Sequence, residues 1–299
     1  MSARRLLEQW DLRPSKGLGQ NFLVDQAAIE KIVAAAELAR EDVVLEVGAG
    51  LGTLTKRLAQ SAGHVVAVEL DQRLVPVLES ELAGMENVTL IQGDILELEP
   101  QTLFPPTSNF QPPTSNLQYT VVANLPYYIT SAILRHLLEA RPRPRRMVVT
   151  VQREVAERIV AQPGQMSLLA VSVQYYGSPR LLFRIKPGSF YPSPGVTSAV
   201  VRIDLYGRHS DGAPDVPAAD TDAFFRIVRA GFAQRRKQLH NALAAGLGRQ
   251  SEEVTACLNK AGVDPRRRAQ TLSLEEWRQV TRALTATRDI RDEMNASEE

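Results

Sequence analysis

Residues 42–55 read DVVLEVGAGLGTLT, and this stretch decides the fold class. The apolar run 43–47 ends at a turn with Gly48, Gly50 and Gly52, and a helical stretch follows. A strand, a glycine-rich turn and a helix in this order open a parallel α/β unit, and such glycines let a ligand approach the helix N-terminus. Thr53 stands where a dinucleotide fingerprint would have its third glycine, which argues against a bound pyrophosphate.

The alternation continues along the chain. Further apolar runs of strand length cover 64–70, 87–94, 119–128 and 146–152, and helical stretches separate them. The pattern predicts a doubly wound, mostly parallel, Rossmann-like α/β sheet with helices on both faces. The two late runs, RLLFRIKP (180–187) and SAVVRIDLYG (198–207), are joined by a loop alone and predict an antiparallel hairpin at the sheet edge.

Composition sets the domain boundaries. We expect a catalytic domain over 1–206, of which 1–40 form an N-terminal arm, and a Gly-, Pro- and Asp-containing linker over 207–220. Apolar residues at helical spacing from 221 to 299 predict a small, basic, all-α domain. A helix is expected to begin at Ser273, with Glu276 completing a capping box.

Several classes of protein are disfavoured. No apolar run approaches the roughly 20 residues that span a bilayer, and the first 17 residues lack the apolar stretch of a secretory signal. The single cysteine, Cys257, excludes an internal disulfide and fits the reducing cytoplasm. The four His are scattered without ligand spacing, so we predict no metal site.

The net charge of +1 conceals an uneven distribution of basic residues. Residues 226–268 hold ten Lys or Arg against three acids, and 141–146 read RPRPRR. Arg suits bidentate contacts with phosphate, so a polyanionic partner is indicated; the alternative is a solvated, salt-bridged surface. The candidate contacts are Arg141, Arg143, Arg235, Arg236 and Lys237.

Three consecutive predicted strands end in residues suited to a nucleoside. Gly48 follows the first strand, Glu69 ends the second and Asp94 follows the third. A carboxylate about 20 residues after the glycine turn can accept hydrogen bonds from both hydroxyls of a ribose. Carboxyl ends of parallel strands share one sheet edge, so the three residues predict a nucleoside site without a pyrophosphate.

The fourth strand runs into NLPY, residues 124–127. The Asn124 side-chain oxygen and a backbone carbonyl of the Leu125-Pro126 turn can accept from the two N–H groups of an exocyclic amine. Such acceptors would free the nitrogen lone pair for attack. Pro126 stiffens the turn, and Tyr127 offers a face on which a base can stack.

Five motifs, in order over nearly the whole chain, resemble the small-subunit ribosomal RNA adenine-N6 dimethyltransferase family, which has the class I methyltransferase fold. They are KGLGQNFLVD (16–25), EVGAG (46–50), NLPY (124–127), SFYPSPGVTSAVVRID (189–204) and FFRIVRAGFAQRRKQLHNAL (224–243). The resemblance implies S-adenosylmethionine as cofactor and two adjacent adenosines near the 3′ end of small-subunit ribosomal RNA as substrate. It further implies a pre-ribosomal particle as partner, and we expect a cytoplasmic monomer.

The resemblance also implies roles for single residues. Phe190 would close over the target base beside the NLPY tetrad, and 224–243 would form a basic RNA-contacting helix. The implied cofactor contacts are Asn21, Leu23, Gly48, Glu69, Asp94 and Asn124.

Two stretches depart from the family pattern, and two other functions remain open. Residues 161–177 are shorter than the usual segment, and PPTSN occurs twice, at 105–109 and 112–116. A large-subunit ribosomal RNA adenine-N6 methyltransferase shares fold, cofactor and tetrad. A non-catalytic nucleic-acid-binding factor on the same fold is the other alternative. A nicotinamide oxidoreductase is disfavoured by Thr53.

Overall fold

The computed structural model describes residues 2–104, 118–206 and 221–296, the last ten by backbone alone. Both PPTSN copies and the expected linker 207–220 lie outside these residues. The strands are β1 (Phe22–Leu23), β2 (Val43–Val47), β3 (His64–Glu69), β4 (Val88–Gln92), β5 (Tyr119–Asn124), β6 (Arg146–Gln152), β7 (Gly177–Ile185), β8 (Phe190–Tyr191) and β9 (Ser198–Leu205).

Eleven α-helices are described. They are α1 (Ala3–Gln9), α2 (Gln26–Ala36), α3 (Thr53–Ser61), α4 (Val75–Glu81), α5 (Thr130–Glu139), α6 (Arg153–Ile159), α7 (Leu168–Tyr176), α8 (Thr221–Ala233), α9 (Leu239–Leu247), α10 (Ser251–Lys260) and α11 (Leu274–Ala296). Among the described residues, no helix is both long and apolar enough to cross a membrane.

Seven strands form one sheet in the order β4-β3-β2-β5-β6-β9-β7. The first five are parallel, and β9 runs antiparallel to both β6 and β7. The expected doubly wound sheet with an antiparallel edge is confirmed. Strand β2 lies between β3 and β5 and is buried along its whole length, because helices cover both faces of the sheet and apolar side chains fill both layers.

The chain divides into two compact units, Met1–Glu157 with Gly177–Ser210, and Arg158–Tyr176 with Asp211–Glu299. The expected boundary at 206 differs from this division, because 158–176 group with the C-terminal helices. Their aromatic residues explain the grouping. The Tyr175 ring stacks on Phe224 with centroids 4.6 Å apart, and the Tyr175 hydroxyl lies 3.0 Å from Thr221 Oγ1.

The second unit is helical, but the expected basic helix over 224–243 is interrupted. Helix α8 ends at Ala233 and α9 begins at Leu239. The helix is interrupted at Gln238, whose backbone is extended (ψ 152°), and the Leu239 N–H donates to Arg267 O at 2.7 Å. A tertiary hydrogen bond therefore replaces a helical one. Arg235, Arg236 and Lys237 lie between the two helices, whereas Arg226 and Arg229 lie in α8.

The start of α11 is as expected. The Glu276 N–H donates to Ser273 Oγ at 3.1 Å, and the Ser273 N–H donates to Glu276 Oε2 at 2.7 Å. These reciprocal bonds confirm the capping box. Earlier in the same unit, Gly231 of α8 lies against the fully buried Trp277 ring, and a Cβ at position 231 would overlap that ring.

Candidate active site

A pocket opens at the carboxyl ends of the central strands of the first unit. It holds about 760 Å³ of empty space, a figure that includes solvent at its open mouth. Its walls are the loop before β1, the turn after β2, and the ends of β3, β4 and β5. In open α/β sheets ligands bind at this edge, where the strand order reverses.

The turn after β2 exposes backbone to the pocket. Gly48 and Gly50 have φ of 78° and 59°, a region that side chains with a Cβ rarely adopt. A Cβ on Gly50 would also lie only 3.0 Å from the Phe22 ring. Both glycines line the pocket, so a ligand can contact the backbone before α3 begins.

Two predicted carboxylates reach the same wall. Glu69, 6% exposed, accepts the Gly50 N–H at 2.8 Å on Oε2 and the Asp71 N–H at 2.9 Å on Oε1. Each carboxylate oxygen keeps capacity for one more donor, as two ribose hydroxyls would require. Burial raises the pKa of Glu69. Asp94 lies beside it at the end of β4 and accepts the Leu96 N–H at 2.9 Å.

Asn124 ends β5 and lines the pocket, and the amide nitrogen of its side chain is already hydrogen-bonded within the protein. Its Nδ2 donates to Asn21 O at 3.0 Å. Its Oδ1 is buried and has no hydrogen-bond partner among the described residues. A buried acceptor without a donor costs free energy, so this oxygen is suited to an N–H group supplied by a ligand.

The Leu125-Pro126 turn leaves one carbonyl for a ligand. Pro126 O already accepts from the Ile129 N–H at 3.3 Å and from Thr130 Oγ1 at 3.0 Å. The Leu125 N–H continues the sheet ladder to Thr150 O at 3.1 Å. Leu125 O is therefore the candidate for the second acceptor.

Tyr127 lines the pocket beside this turn. Its hydroxyl lies 2.5 Å from Ser198 Oγ on β9, and burial raises the pKa of the phenol. A ring fixed at its hydroxyl end presents a defined face to a base.

Leu23 and Phe190 lie elsewhere. They face each other in the two-stranded β1–β8 ribbon and are 5% and 4% exposed. Both belong to the hydrophobic core rather than to the pocket lining, and Phe22, the neighbour of Leu23, reaches the pocket instead. The side chains of Leu23 and Phe190 therefore do not line the pocket, and their contacts with cofactor and base stay predictions.

The candidate RNA-binding residues occupy two places. Arg141 and Arg143 are exposed and precede the amino end of β6, the sheet edge opposite the pocket. The other three lie exposed in the turn between α8 and α9: Arg235, Arg236 and Lys237. In 2–104, 118–206 and 221–296, no three His, Cys, Asp or Glu residues are grouped as a metal site requires.

Gln20 and Tyr128 are among the pocket-wall residues that the sequence did not single out. Each is adjacent to a predicted site residue, Asn21 or Tyr127, and adjacency was the available signal. Tyr128 is 56% exposed, and its ring would lie 3.1 Å from a Cβ on Gly19.

Glu46, on β2 just before the glycine turn, was also missed. The side chain is fully buried, and its Oε2 has no hydrogen-bond partner in the described part of the chain. Burial raises the pKa of this carboxyl to about 8; nearby Thr55 lowers the pKa and the charge of Glu69 raises it. Glu46 is therefore largely protonated at neutral pH, which avoids a buried negative charge close to Glu69.

Comparison with known proteins identifies relatives along nearly the whole chain. Residues 13–285 match the family model for ribosomal RNA adenine dimethylase. Ribosomal RNA small subunit methyltransferase A of Dehalococcoides mccartyi is 46% identical over 283 residues, which cover 95% of this chain and 92% of the relative. The same enzyme of Pelotomaculum thermopropionicum is 45% identical over 280 residues, 93% of each protein.

Solved structures give the same result for the fold. The 23S rRNA methyltransferase ErmE superposes with a TM-score of 0.67 at 28% identity and covers 89% of this chain and 100% of its own. A dimethyladenosine transferase from Plasmodium falciparum superposes with a TM-score of 0.70 at 21% identity, and the match covers 87% of this chain and 95% of that structure. The family match spans the sheet, the pocket and the C-terminal helices, and the chain therefore belongs to the ribosomal RNA adenine dimethylase family.

Proposed function

We propose that this protein transfers methyl groups to the N6 amines of two adjacent adenosines near the 3′ end of small-subunit ribosomal RNA, forming dimethyladenosines during ribosome assembly. One observation carries the chemistry. Asn124 Oδ1 is a buried acceptor without a partner among the described residues, and Asn124 lines the same pocket as Glu69 and Asp94. The curated relatives with 45–46% identity bear the name ribosomal RNA small subunit methyltransferase A.

The pocket fits S-adenosylmethionine. Glu69 can accept from ribose hydroxyls, Asp94 from the amino group of an adenine, and the backbone at Gly48 leaves room for the amino-acid part. When bound, this cofactor supplies a methyl group on a positively charged sulfur. We propose Asn21, Leu23 and Asn124 as further contacts; Leu23 could contribute only through its backbone, because its side chain lies in the core.

The chain's own residues position the target base. Asn124 Oδ1 and Leu125 O accept from the two N6 hydrogens, which draws the lone pair away from the ring and back onto the nitrogen. Pro126 keeps the turn rigid and offers no competing N–H. Tyr127, held by Ser198, stacks on the base, a contact worth roughly 1–3 kcal/mol. Catalysis then rests mainly on positioning.

Phe190 contributes to this site only if the β1–β8 ribbon rearranges when RNA binds. We propose that Arg235, Arg236 and Lys237 contact RNA phosphates, since all three are exposed. Arg141 and Arg143 would contact a part of the RNA remote from the target base, because they lie at the opposite sheet edge. We further propose that the enzyme acts as a cytoplasmic monomer on a pre-ribosomal particle.

Methylation of large-subunit RNA is the second candidate, because ErmE shares the fold at 28% identity. The higher identity to small-subunit enzymes favours our choice. A purely nucleic-acid-binding role is disfavoured because the buried acceptor and the carboxylates of the pocket are all retained.

Labelled S-adenosylmethionine distinguishes these functions. The protein is incubated with ribosomal subunits from a strain that lacks the modification, and adenines are analysed by mass spectrometry. We expect a gain of two methyl groups on each of two adjacent adenines of the small subunit. Label in large-subunit RNA, or none in either subunit, would overturn the proposal.

Asn124→Ala tests the role of the carboxamide. We expect kcat to fall by about 10²- to 10³-fold, the usual effect of removing one preorganised partner of the reacting group, with cofactor affinity mostly intact. Asn259→Ala, on the exposed face of α10 and outside the motif 224–243, serves as the matched control. A loss confined to cofactor binding would show that the role of Asn124 is misassigned.

A further inference from the structure

Residues 15–21, which precede β1, form a compact loop closed by its own hydrogen bonds. The Ser15 N–H donates to Gln20 Oε1 at 2.7 Å, and the Gln20 N–H donates to Ser15 O at 3.2 Å. The Gly19 N–H donates to Lys16 O at 3.0 Å. The loop is thus a defined unit, and its second half lines the pocket.

Two further hydrogen bonds attach this loop to the sheet. Gln20 Nε2 donates to Asp71 Oδ2 at 2.8 Å, just after β3 ends. Asn21 O accepts from Asn124 Nδ2 at 3.0 Å, where β5 ends. Since β3 and β5 are the two neighbours of β2, the loop is anchored on both sides of the glycine turn.

The Asp71 carboxylate both caps a local helical turn and binds the loop. Its Oδ1 accepts the Arg73 N–H at 3.1 Å and so caps the short helical turn 72–74. Its other oxygen, Oδ2, binds Gln20 together with Arg73 Nη2 at 2.7 Å. The side chain is 5% exposed, and the Arg73 guanidinium lowers the pKa of the carboxyl. A buried, ionised acceptor makes the bond to Gln20 charge-assisted.

The second anchor decides which end of the Asn124 carboxamide faces the pocket. A carbonyl can only accept, so Asn21 O selects the orientation in which Nδ2 points to the loop and Oδ1 remains for a ligand. If the loop moved, the carboxamide could turn and present a donor to the target amine, which itself needs an acceptor.

We propose that Gln20 and Asp71 are positioning residues, which hold the loop so that Asn21 O orients the Asn124 carboxamide for the reaction. This inference rests on the proposed function. Neither residue contacts the reacting atoms. Their effect passes through Asn21, and it should appear in the rate of methyl transfer rather than in the stability of the fold.

Exchange of donor and acceptor provides the test. Gln20→Glu replaces the donor with a second carboxylate, so it should repel Asp71. We expect a single-turnover methylation rate about ten- to a hundredfold lower at saturating cofactor and RNA, the usual effect of losing a hydrogen bond to a charged group. Hydrogen exchange of the amides of 18–22 should accelerate more than that of the β2 and β3 peptides, which would locate the effect in the loop.

The double variant Gln20→Glu, Asp71→Asn restores a donor and an acceptor between the two positions, although the amide nitrogen at 71 cannot accept from Arg73 Nη2 as Oδ2 does. We therefore expect rate and exchange protection to recover in part. Gln9→Glu, exposed on α1, adds the same charge away from the loop as the control. Gln20→Ala is a second way of removing the donor, and it should match the single Glu variant in direction.

Unchanged exchange of 18–22 in both single Gln20 variants, or an unchanged rate, would overturn the inference. A double variant that folds but is no better than Gln20→Glu would do the same. If the wild-type protein methylates no adenine, the proposed function fails. Hydrogen exchange and calorimetry with S-adenosylmethionine would then still show whether Gln20 and Asp71 hold the loop.

Discussion

Replacing the buried Glu46 by Gln should make the first unit more stable at alkaline pH and leave it little changed at pH 5. Glu46 lies on β2 opposite Ala67 of β3, fully buried, with Oε2 lacking a partner among the described residues. Ionisation in such a place is costly, which is why the pKa rises from 4.5 to about 8. Gln is nearly isosteric and carries no charge at any pH.

The magnitude follows from proton linkage. Between pH 4.5 and about 8 the folded chain keeps a proton on Glu46 that the unfolded chain has released. The free energy of unfolding therefore falls as pH rises, by about 1.4 kcal/mol per pH unit. Over this interval the fall is on the order of 5 kcal/mol. The fall is absent below pH 4.5 and complete above pH 8.

Urea unfolding of wild type and Glu46→Gln between pH 5 and pH 8.5 measures this effect. Hydrogen exchange of peptides from β2 and β3 assigns it to the first unit. The stability advantage of the variant should grow by on the order of 3 kcal/mol from pH 5 to pH 8. Glu86→Gln, which removes an exposed carboxylate, is the control. Parallel stability curves for wild type and Glu46→Gln would refute the reasoning, because Glu46 would then not titrate in this range.

Three other perturbations give separate tests. Burial raises the pKa of Glu69. As the pH is lowered, cofactor affinity measured by calorimetry should therefore begin to fall at a pH above 4.5, the ordinary pKa of this carboxyl. Glu69→Gln should bind the cofactor weakly and without this pH dependence. Gly231→Ala should lower stability by about 1–2 kcal/mol, since the added Cβ overlaps Trp277 and only part of this cost is offset by helix propensity; an unchanged melting temperature would contradict that contact. The third perturbation neutralises Arg235, Arg236 and Lys237 together. The slope of log affinity for RNA against log salt concentration should then flatten by roughly 2. An unaltered slope would show that the turn between α8 and α9 is a solvated surface that does not contact RNA.

The sequence was sufficient for the sheet and much of the pocket for one physical reason. Parallel strands end at a common edge, so Gly48, Glu69, Asp94 and Asn124 had to lie close together once their strands were identified. Each is also the last residue of its strand or lies within two positions of its end. At these positions the local pattern of apolar residues was therefore sufficient to predict which side chains lie close together.

The features that the sequence did not predict depend on contacts between residues far apart in the chain, and no local pattern reveals such contacts. The bond between Gln20 and Asp71 joins residues 51 positions apart. Leu23 and Phe190 are buried because two short strands far apart in the chain pair with each other. Likewise, the break before Leu239 depends on Arg267, which belongs to a later segment.

Strand order also determines when the sheet can be completed as the chain is synthesised. Strand β9, the last strand of the seven-stranded sheet, lies between β6 and β7, and β1 pairs only with β8. A nascent chain that ends before Tyr191 leaves Phe22 unpaired, and one that ends before Leu205 leaves an edge of β6 open. The β6 edge is therefore exposed to pairing with other chains until Leu205 has been added, although every residue that lines the pocket has been made by Ile133.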